Sequence, residues 1–412
     1  MEYRTHTNLC SPAGLCYLAY MEKRPKTYLD WAATSWPKPD SVYEAVNNYA
    51  RSIGIDHNRG HFREAMDAEV WFNRARRALA KLMNAPAPER IVFFSGATEA
   101  LNTAIQGTLA EGDHVIYSSF EHNAVARPLR FLEKKRGIQL TQIPGSVAEP
   151  IDPAAVRKAI RKNTRMVVLN HISNVFGSVL PVCEVGNMLA EYDDILFVVD
   201  GAQSLGSHPV DVRAMHADVF TFPGHKSLLG PPGTGGFYLR EGLEEVVSPI
   251  KFGGTGVKSA MEIVVEELPH KYEVGTQNSW GIAGLAAGAE YVLERGVADI
   301  SAQLAQLTNQ LVEGLKGNPL MRLYAPPPKI HHGVVSFNFS NMPSEDAAAL
   351  LDRSYNLKLR AGLHCAPDAH QCTGTLRQGT VRASVGCLTT TAEVEYLIRA
   401  LQEMGEDYVE AT

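Results

Sequence analysis

The chain has 412 residues, of which 45% are hydrophobic and 20% are charged, and its formal net charge is −6. This length predicts about two to three domain-sized units, and a negative charge without a dense basic stripe argues against a nucleic-acid-binding protein. The six cysteines form neither a plausible disulfide framework nor a complete zinc ligand set. We therefore expect a cytoplasmic protein with no metal site, signal peptide or membrane span.

The N-terminal residues predict no regular structure. We expect residues 1–26 to form an extension whose role the sequence does not indicate. Further along, basic residues recur at helical spacing and predict a helix with a solvent-facing basic side. These residues are Arg74, Arg76, Arg77 and Lys81.

Short apolar runs alternate with helical patterns through the middle of the chain. Helical stretches such as 97–110 and 153–162 separate most of these runs. This alternation predicts βαβ units and a mostly parallel, doubly wound α/β sheet in a large domain of residues 27–290. The predicted strands are 90–96, 114–120, 165–173, 195–200, 218–223 and 235–240.

A second unit follows a long helical pattern at residues 280–316. Strand-like segments at 332–339, 357–362 and 379–385 are accompanied by helical patterns at 344–354 and 390–406. They predict a small C-terminal α+β domain of residues 291–412, which the first residues of the large domain join.

Two predicted strands end in residues that suit one kind of chemistry. The first reads ILFVVD and ends at Asp200, and the second is followed by GHK, which ends at Lys226. Carboxyl ends of parallel strands open onto a common crevice. A lysine amine can hold pyridoxal phosphate (PLP) as a Schiff base while an acid keeps the pyridine nitrogen protonated. Alternatively, Asp200 is only a helix cap, and GHK also occurs in unrelated loops.

Other strand ends carry small or polar residues. SGATEALN at 95–102 offers Thr98 and first-turn amides to an anion such as phosphate, although the same pattern is that of an ordinary capping box. His122 and Asn174 follow two further strands. A flat cofactor could stack on His122, but a lone histidine there is more often structural.

The ordered set of segments resembles class V, fold-type I PLP enzymes. Among these it is most similar to the cysteine desulfurases of the SufS-type and selenocysteine lyase group. The resemblance runs from Tyr28 to the C-terminus. The segments are YLDWAAT, SGATEALN, FEHNA, NHISNVFG, VDGAQS, PGHK, GTQN, RAGLHCAP and RAS.

The resemblance implies a role for each matching residue. Lys226 would hold PLP, Asp200 would pair with the pyridinium nitrogen, and His122 would stack on the ring. The remaining cofactor ligands would be Gln203 at the phenolic oxygen and Ala97, Thr98, His225 and Thr276 at the phosphate. Thr276 would come from the other subunit of a homodimer, and Asn174 and Arg382 would bind the substrate carboxylate.

Cys365 decides the specific activity that the resemblance implies. It follows His364, a possible base, in a segment of small residues, which suits a reactive thiolate in an exposed loop. L-Cysteine would become L-alanine, and its sulfur would pass to Cys365 as a persulfide and then to an acceptor protein or thiol. L-Selenocysteine is the alternative substrate.

Two positions depart from the family pattern. Leu363 stands where relatives often have a histidine, and Pro223 stands where many have a serine near the phosphate. The alternative functions are selenocysteine lyase, C–S β-lyase and class V aminotransferase on the same fold. A catalytically silent interaction protein is a further alternative.

Overall fold

The computed structural model describes residues 24–57, 60, 62–257 and 265–410, with backbone only from residue 405. The prediction for the N-terminal extension therefore lies outside the described residues, except for residues 24–26. Cys10 and Cys16 lie outside them as well. Among the helices that the structure describes, none combines the length and the apolar character needed to cross a membrane.

A seven-stranded sheet forms the centre of the larger part of the described chain, with the strand order β2-β8-β7-β6-β5-β3-β4. The five strands β4, β3, β5, β6 and β7, in this spatial order, run parallel to one another. Strand β8 runs antiparallel to both of its neighbours, β7 and β2. The strands are β2 (Ile91–Phe94), β3 (His114–Ser118), β4 (Gln139–Ile143), β5 (Thr164–Asn170), β6 (Leu196–Asp200), β7 (Val219–Pro223) and β8 (Gly235–Leu239).

Both faces of this sheet are buried. In β6, Phe197 and Val199 pack into one apolar cluster, whereas Leu196 and Val198 pack into another. Side chains alternate between the faces of a strand, so each face has its own helical layer. Burying each large apolar side chain contributes about 1.5–3 kcal/mol. The predicted doubly wound α/β fold is confirmed.

Helices connect the strands and cover the two faces. The helices are α1 (Asp40–Ser52), α2 (Arg63–Leu82), α3 (Ala97–Thr108), α4 (Asn123–Arg136), α5 (Pro153–Ala159), α6 (Val182–Leu189), α7 (Ser279–Arg295), α8 (Val297–Leu315), α9 (Ser344–Tyr355), α10 (Pro367–Cys372) and α11 (Thr391–Glu410). Helices α1 and α2 both pack on α7.

A four-stranded antiparallel sheet lies in the C-terminal part, in the order β12-β13-β10-β9. Its strands are β9 (Met321–Tyr324), β10 (Val334–Phe339), β12 (Arg360–Gly362) and β13 (Thr380–Ser384). A separate pair joins the start of the described chain to this part, because β1 (Thr27–Tyr28) runs parallel to β11 (Leu357–Lys358).

Three details differ from the sequence predictions. Strand β4 was not expected, because QLTQI is largely polar at the sheet edge. The helical pattern at 280–316 is two helices separated by Gly296, which has a φ of +80°. The predicted basic helix is present, but Arg76 is buried and forms an ion pair with Glu273 at 2.6 Å. The expectation of a fully solvent-facing basic side was therefore wrong.

Candidate active site

A cavity of about 360 Å³ opens at the carboxyl ends of the parallel strands. This volume falls within the range of small-molecule sites, and the position is the one at which open α/β sheets bind ligands. Nine of the sequence-predicted site residues line it. These are Ala97, Thr98, His122, Asn174, Asp200, Gln203, His225, Lys226 and Arg382.

Asp200 and Lys226 face the cavity from neighbouring strands. Asp200 is the last residue of β6, is buried, and accepts a hydrogen bond from the Ala202 amide at 2.9 Å. Lys226 follows the end of β7 by three residues. Burial lowers the pKa of Lys226 to about 8; Asp200 opposes this shift, while Arg382 and Arg360 add to it. The amine is therefore easily deprotonated near neutral pH.

His122 is the N-cap of α4 and lies in the cavity wall. Its Nδ1 accepts a hydrogen bond from the Ala124 amide at 3.0 Å, so a neutral ring carries its proton on Nε2. Burial, together with the nearby charge of Lys226, lowers the pKa of His122 to about 4. The ring is thus a neutral aromatic surface at physiological pH.

Two other predicted ligands are held by the segment after β1. Gln203 donates through Nε2 to the carbonyl of Ala32 at 3.0 Å. The His225 ring lies 3.1 Å from the Thr34 hydroxyl, measured at Nδ1, and burial lowers its pKa to about 4. These bonds fix both side chains before any ligand binds.

The N-terminus of α3 closes one end of the cavity. Ala97 and Thr98 occupy its first turn after Gly96. A Cβ added at Gly96 would meet nothing within 4 Å, so the backbone there borders open space. The carboxylate of Glu99 accepts hydrogen bonds from the amide and hydroxyl of Ser95, as a capping residue does. The remaining first-turn amides can bind an anion.

Arg382 occupies the other end of the cavity and is almost fully buried, with 1% exposed. Its Nη2 pairs with Asp30 at 2.5 Å, and its Nη1 donates to the carbonyl of Asn174 at 2.9 Å. Removing one partner of such a buried pair costs about 3–5 kcal/mol, so Asp30 strongly fixes the guanidinium. Arg382 Nε and Asn174 Oδ1 have no partner among the described residues.

Cys365 lies beside the cavity, and it is not among the residues of the cavity wall. The thiol is partly exposed. It stands in a loop where Gly362, His364 and Cys365 all have positive φ values of 100°, 49° and 60°. Such backbone persists for non-glycine residues only where the surroundings hold it. The Asn123 amide does so by donating to the Cys365 carbonyl at 2.7 Å.

The nearest charged partner of Cys365 is an arginine that the sequence analysis did not single out. Nη2 of Arg360 lies 3.6 Å from Sγ, and Arg360 itself lines the cavity. The expected base, His364, instead places Nε2 3.0 Å from the Thr380 carbonyl, and burial lowers its pKa strongly. Arg360 is the first residue of the RAGLHCAP segment. Its place in that segment was the one feature of the sequence that could have identified it as a site residue.

Thr276, like Cys365, is a predicted site residue that is not in the cavity wall. It precedes α7 and is exposed to solvent. In a single chain it therefore does not contribute to the cavity that Lys226 lines.

The geometry fits PLP. The cavity offers amides for a phosphate at the α3 end, a buried acid beside a lysine in the middle, and an arginine with unpaired nitrogen at the far end. The unpartnered Nε of Arg382 suits a carboxylate at one end of the cavity, and the first-turn amides of α3 suit a phosphate at the other.

Comparison with known proteins places the chain in a family. The sequence model of the aminotransferase class-V family matches residues 27–397. A protein named "Probable cysteine desulfurase" from Methanothermobacter thermautotrophicus is 34% identical over 92% of this chain and 95% of its own length. A cysteine desulfurase from Pectobacterium carotovorum is 31% identical over 92% and 93%.

The fold gives the same result. The apo structure of the cysteine desulfurase from Thermococcus onnurineus superimposes with a TM-score of 0.87. The two sequences are 33% identical, and the match covers 92% of this chain and 95% of the other. The chain therefore belongs to the aminotransferase class-V family, whose members depend on PLP.

Proposed function

We propose that this protein is a cysteine desulfurase that converts L-cysteine to L-alanine and transfers the sulfur to Cys365. The observation that carries this proposal is the placement of Cys365 beside Arg360, at the edge of the cavity that holds Lys226 and Asp200. The similarity to cysteine desulfurases over nine-tenths of the chain supports it.

The residues around the cavity would hold PLP from three sides. The first turn of α3 and His225 would bind its phosphate, His122 would lie against its ring, and Asp200 would face its pyridine nitrogen. Lys226 would attach it covalently. When bound, the cofactor supplies an electron sink for the negative charge that develops at the substrate Cα.

Arg382 and Asn174 would orient the substrate through its carboxylate. Arg382 is already fixed by Asp30, so its free Nε faces the substrate without loss of side-chain entropy. The amide of Asn174 donates to the His364 carbonyl at 2.6 Å. The same side chain thus links carboxylate binding to the loop that carries Cys365.

Lys226 would then take the proton from the substrate Cα. A general base works best when its pKa lies near the working pH. The lowered pKa of about 8 places the amine near that condition. His122, neutral at this pH, cannot compete for the proton, because burial holds its pKa at about 4.

Cys365 would receive the sulfur. Its thiolate attacks the sulfur of L-cysteine, the Cβ–S bond breaks, and a new S–S bond forms on Cys365. The electron pair of the broken bond stays with the alanine carbon, which a proton completes. One thiol and one L-cysteine thus give one persulfide and one L-alanine. Nη2 of Arg360 lies 3.6 Å from Sγ, so its guanidinium stands beside the sulfur atom that would make this attack.

The persulfide would leave Cys365 for a thiol or a sulfur acceptor protein. The loop is reachable, because Leu363 is 37% exposed and Leu376, after α10, is 45% exposed. L-Selenocysteine would be the second candidate substrate, because selenium occupies the position of the transferred sulfur.

We further propose that the active form is a homodimer. Exposed apolar side chains occur on α1, on α2 and around the N-terminus of α7, which pack together. A face of this kind is typical of an interface. It includes Tyr43, Met66, Val70, Phe252 and Trp280. Thr276 lies next to it along the chain, so Thr276 of the partner subunit could reach the phosphate end of the cavity.

A mixed dimer tests this arrangement. We expect a dimer of one Lys226→Ala subunit and one Thr276→Ala subunit to contain one intact site, because its working Lys226 receives the unaltered threonine from the other subunit. Its cofactor affinity, titrated by absorbance, should equal that of a wild-type site. If Thr276 acts within its own subunit, the single working site should show the weakened affinity of the Thr276→Ala homodimer.

The proposed activity has a direct test. Purified protein is incubated with L-cysteine and a thiol reductant, and alanine, sulfide, pyruvate and pyridoxamine phosphate are quantified. Equal amounts of alanine and sulfide are expected. Pyruvate with ammonia would instead indicate a β-lyase, and a keto acid with pyridoxamine phosphate would indicate an aminotransferase. Protein without cofactor absorbance and without product would indicate a silent interaction protein.

A further inference from the structure

A second carboxyl group lies buried behind the cavity, and the proposed mechanism does not use it. Glu121 follows β3 and directly precedes His122, and none of its surface is exposed. Its Oε1 accepts hydrogen bonds from the Ser118 hydroxyl at 2.5 Å and from the Asn170 amide at 2.9 Å. Glu121 thereby joins the carboxyl ends of β3 and β5.

Glu121 is also coupled to Asp200. Asn170, which donates to Glu121, pairs in register with Asp200 on the neighbouring strand β6. The two carboxyl groups interact electrostatically. In a buried site, two like charges so placed cannot both form without a large cost.

The surroundings of the two acids differ. Asp200 accepts a hydrogen bond from the Ala202 amide, and its charge interacts with that of Lys226. Among the described residues, Glu121 forms no ion pair, and its Oε2 has no hydrogen-bond partner. The groups that face the pair from other elements are Lys226 after β7, the neutral His122 at the start of α4, and uncharged hydroxyls and amides of β3, β5 and β7.

We infer that Glu121 is a positioning residue that carries the one proton the two buried acids share, so that Asp200 is the one of the two that bears a negative charge. In this state Glu121 also holds the ends of β3 and β5 beside Asp200. When neighbouring acids have environments that separate their proton affinities, one keeps its proton and the other stays ionised. The inference rests on the proposed function only in taking Asp200 as the partner of the cofactor nitrogen.

The electrostatics agree with this assignment. Burial raises the pKa of Glu121 to about 8, and the charge of Asp200 adds to this, while the bonds from Ser118 and Asn170 oppose it. Burial raises the pKa of Asp200 as well, but the Ala202 amide and the charge of Lys226 partly offset this rise. Glu121 has no ion-pair partner among the described residues, so we assign the proton at neutral pH to Glu121.

A defined pH dependence follows. The unfolded chain loses the Glu121 proton near the ordinary carboxyl pKa, whereas the folded chain keeps it up to about pH 8. The stability that this group contributes is thus fully present at low pH and falls as the pH rises through that interval. Glutamine has the shape of the protonated acid and does not titrate, so Glu121→Gln should remove this fall.

The test uses full-length protein freed of cofactor. Infrared difference spectra of the wild type at pH 7 should contain the carbonyl stretch of a protonated carboxylic acid, which disappears with a midpoint near pH 8. Glu121→Gln should lack this band, whereas Glu133→Gln, an exposed site on α4, should keep it. Between pH 6 and 9, the Tm of the wild type should fall relative to that of Glu121→Gln.

A second variant keeps the inference testable if Glu121→Gln fails to fold. In Asp200→Asn the opposing charge is absent, so the infrared band should titrate at lower pH than in the wild type. No band in the wild type, a band that survives in Glu121→Gln, or an unchanged titration in Asp200→Asn would each overturn the inference. None of these measurements depends on catalytic activity. If the protein proves not to be a cysteine desulfurase, the infrared spectra and Tm values therefore still test the role of Glu121.

Discussion

Replacing Lys226 with alanine is expected to reduce alanine formation from L-cysteine by about 10³-fold or more, the scale of losing a positioned general base. The variant loses both the covalent attachment of the cofactor and the amine that removes the Cα proton. No other lysine lines the cavity in the described part of the chain, so no other amine can replace it.

The measurement compares the variant with Lys316→Ala, an exposed position at the end of α8. Both proteins are treated with borohydride in the presence of PLP and then digested for mass spectrometry. The peptide containing Lys226 should carry the reduced cofactor in Lys316→Ala, and no peptide should carry it in Lys226→Ala. Cofactor attached at another lysine, with activity retained, would show that the assignment of Lys226 is wrong.

Replacing Cys365 with alanine is expected to reduce persulfide formation and alanine release from L-cysteine by about 10³-fold, while the cofactor absorbance persists. Loss of a nucleophile acts on the chemical step and leaves binding intact. Cys365 lies beside the cavity, so its removal does not disturb Asp200, His122 or Lys226. The expected result is therefore a coloured but inactive protein.

Matched controls are Cys183→Ala and Cys372→Ala, because both cysteines are exposed and free. Each control should retain activity, and mass spectrometry after one turnover should find the extra sulfur on Cys365 alone. Full alanine release in Cys365→Ala would contradict the proposal and indicate a lyase that does not depend on this thiol. Sulfur on Cys372 would place the acceptor on α10.

The sequence predicted the site best where one strand end carried one reactive residue. Asp200 ends β6 and Lys226 follows the end of the neighbouring strand β7. Parallel strand ends meet at one sheet edge, so the meeting of these two residues in one cavity could be derived from local patterns. The division into residues 1–26, 27–290 and 291–412 stays a prediction, as do the individual residue roles.

Contacts between distant segments were not predictable in this way. Asp30 and Arg382 are 352 positions apart, and no local pattern indicates that they pair. In the sequence, Arg76 fits the basic, solvent-facing side of a helix. In the structure it is buried and forms an ion pair with Glu273. The exposed position of Thr276 and the location of Cys365 beside the cavity depend on loop paths that residue spacing does not determine.

The pairing of β1 with β11 has a mechanical consequence. The described chain starts with β1 beside β11, enters the part with the large sheet after Tyr28, and returns to the part with the small sheet beyond Gly296, so two covalent connections join the parts. A body attached at two points can rotate only about the line through them. We therefore expect any relative movement of the two parts to be a rotation about this line, and it would have to break the hydrogen bond from Arg382 to the Asn174 carbonyl.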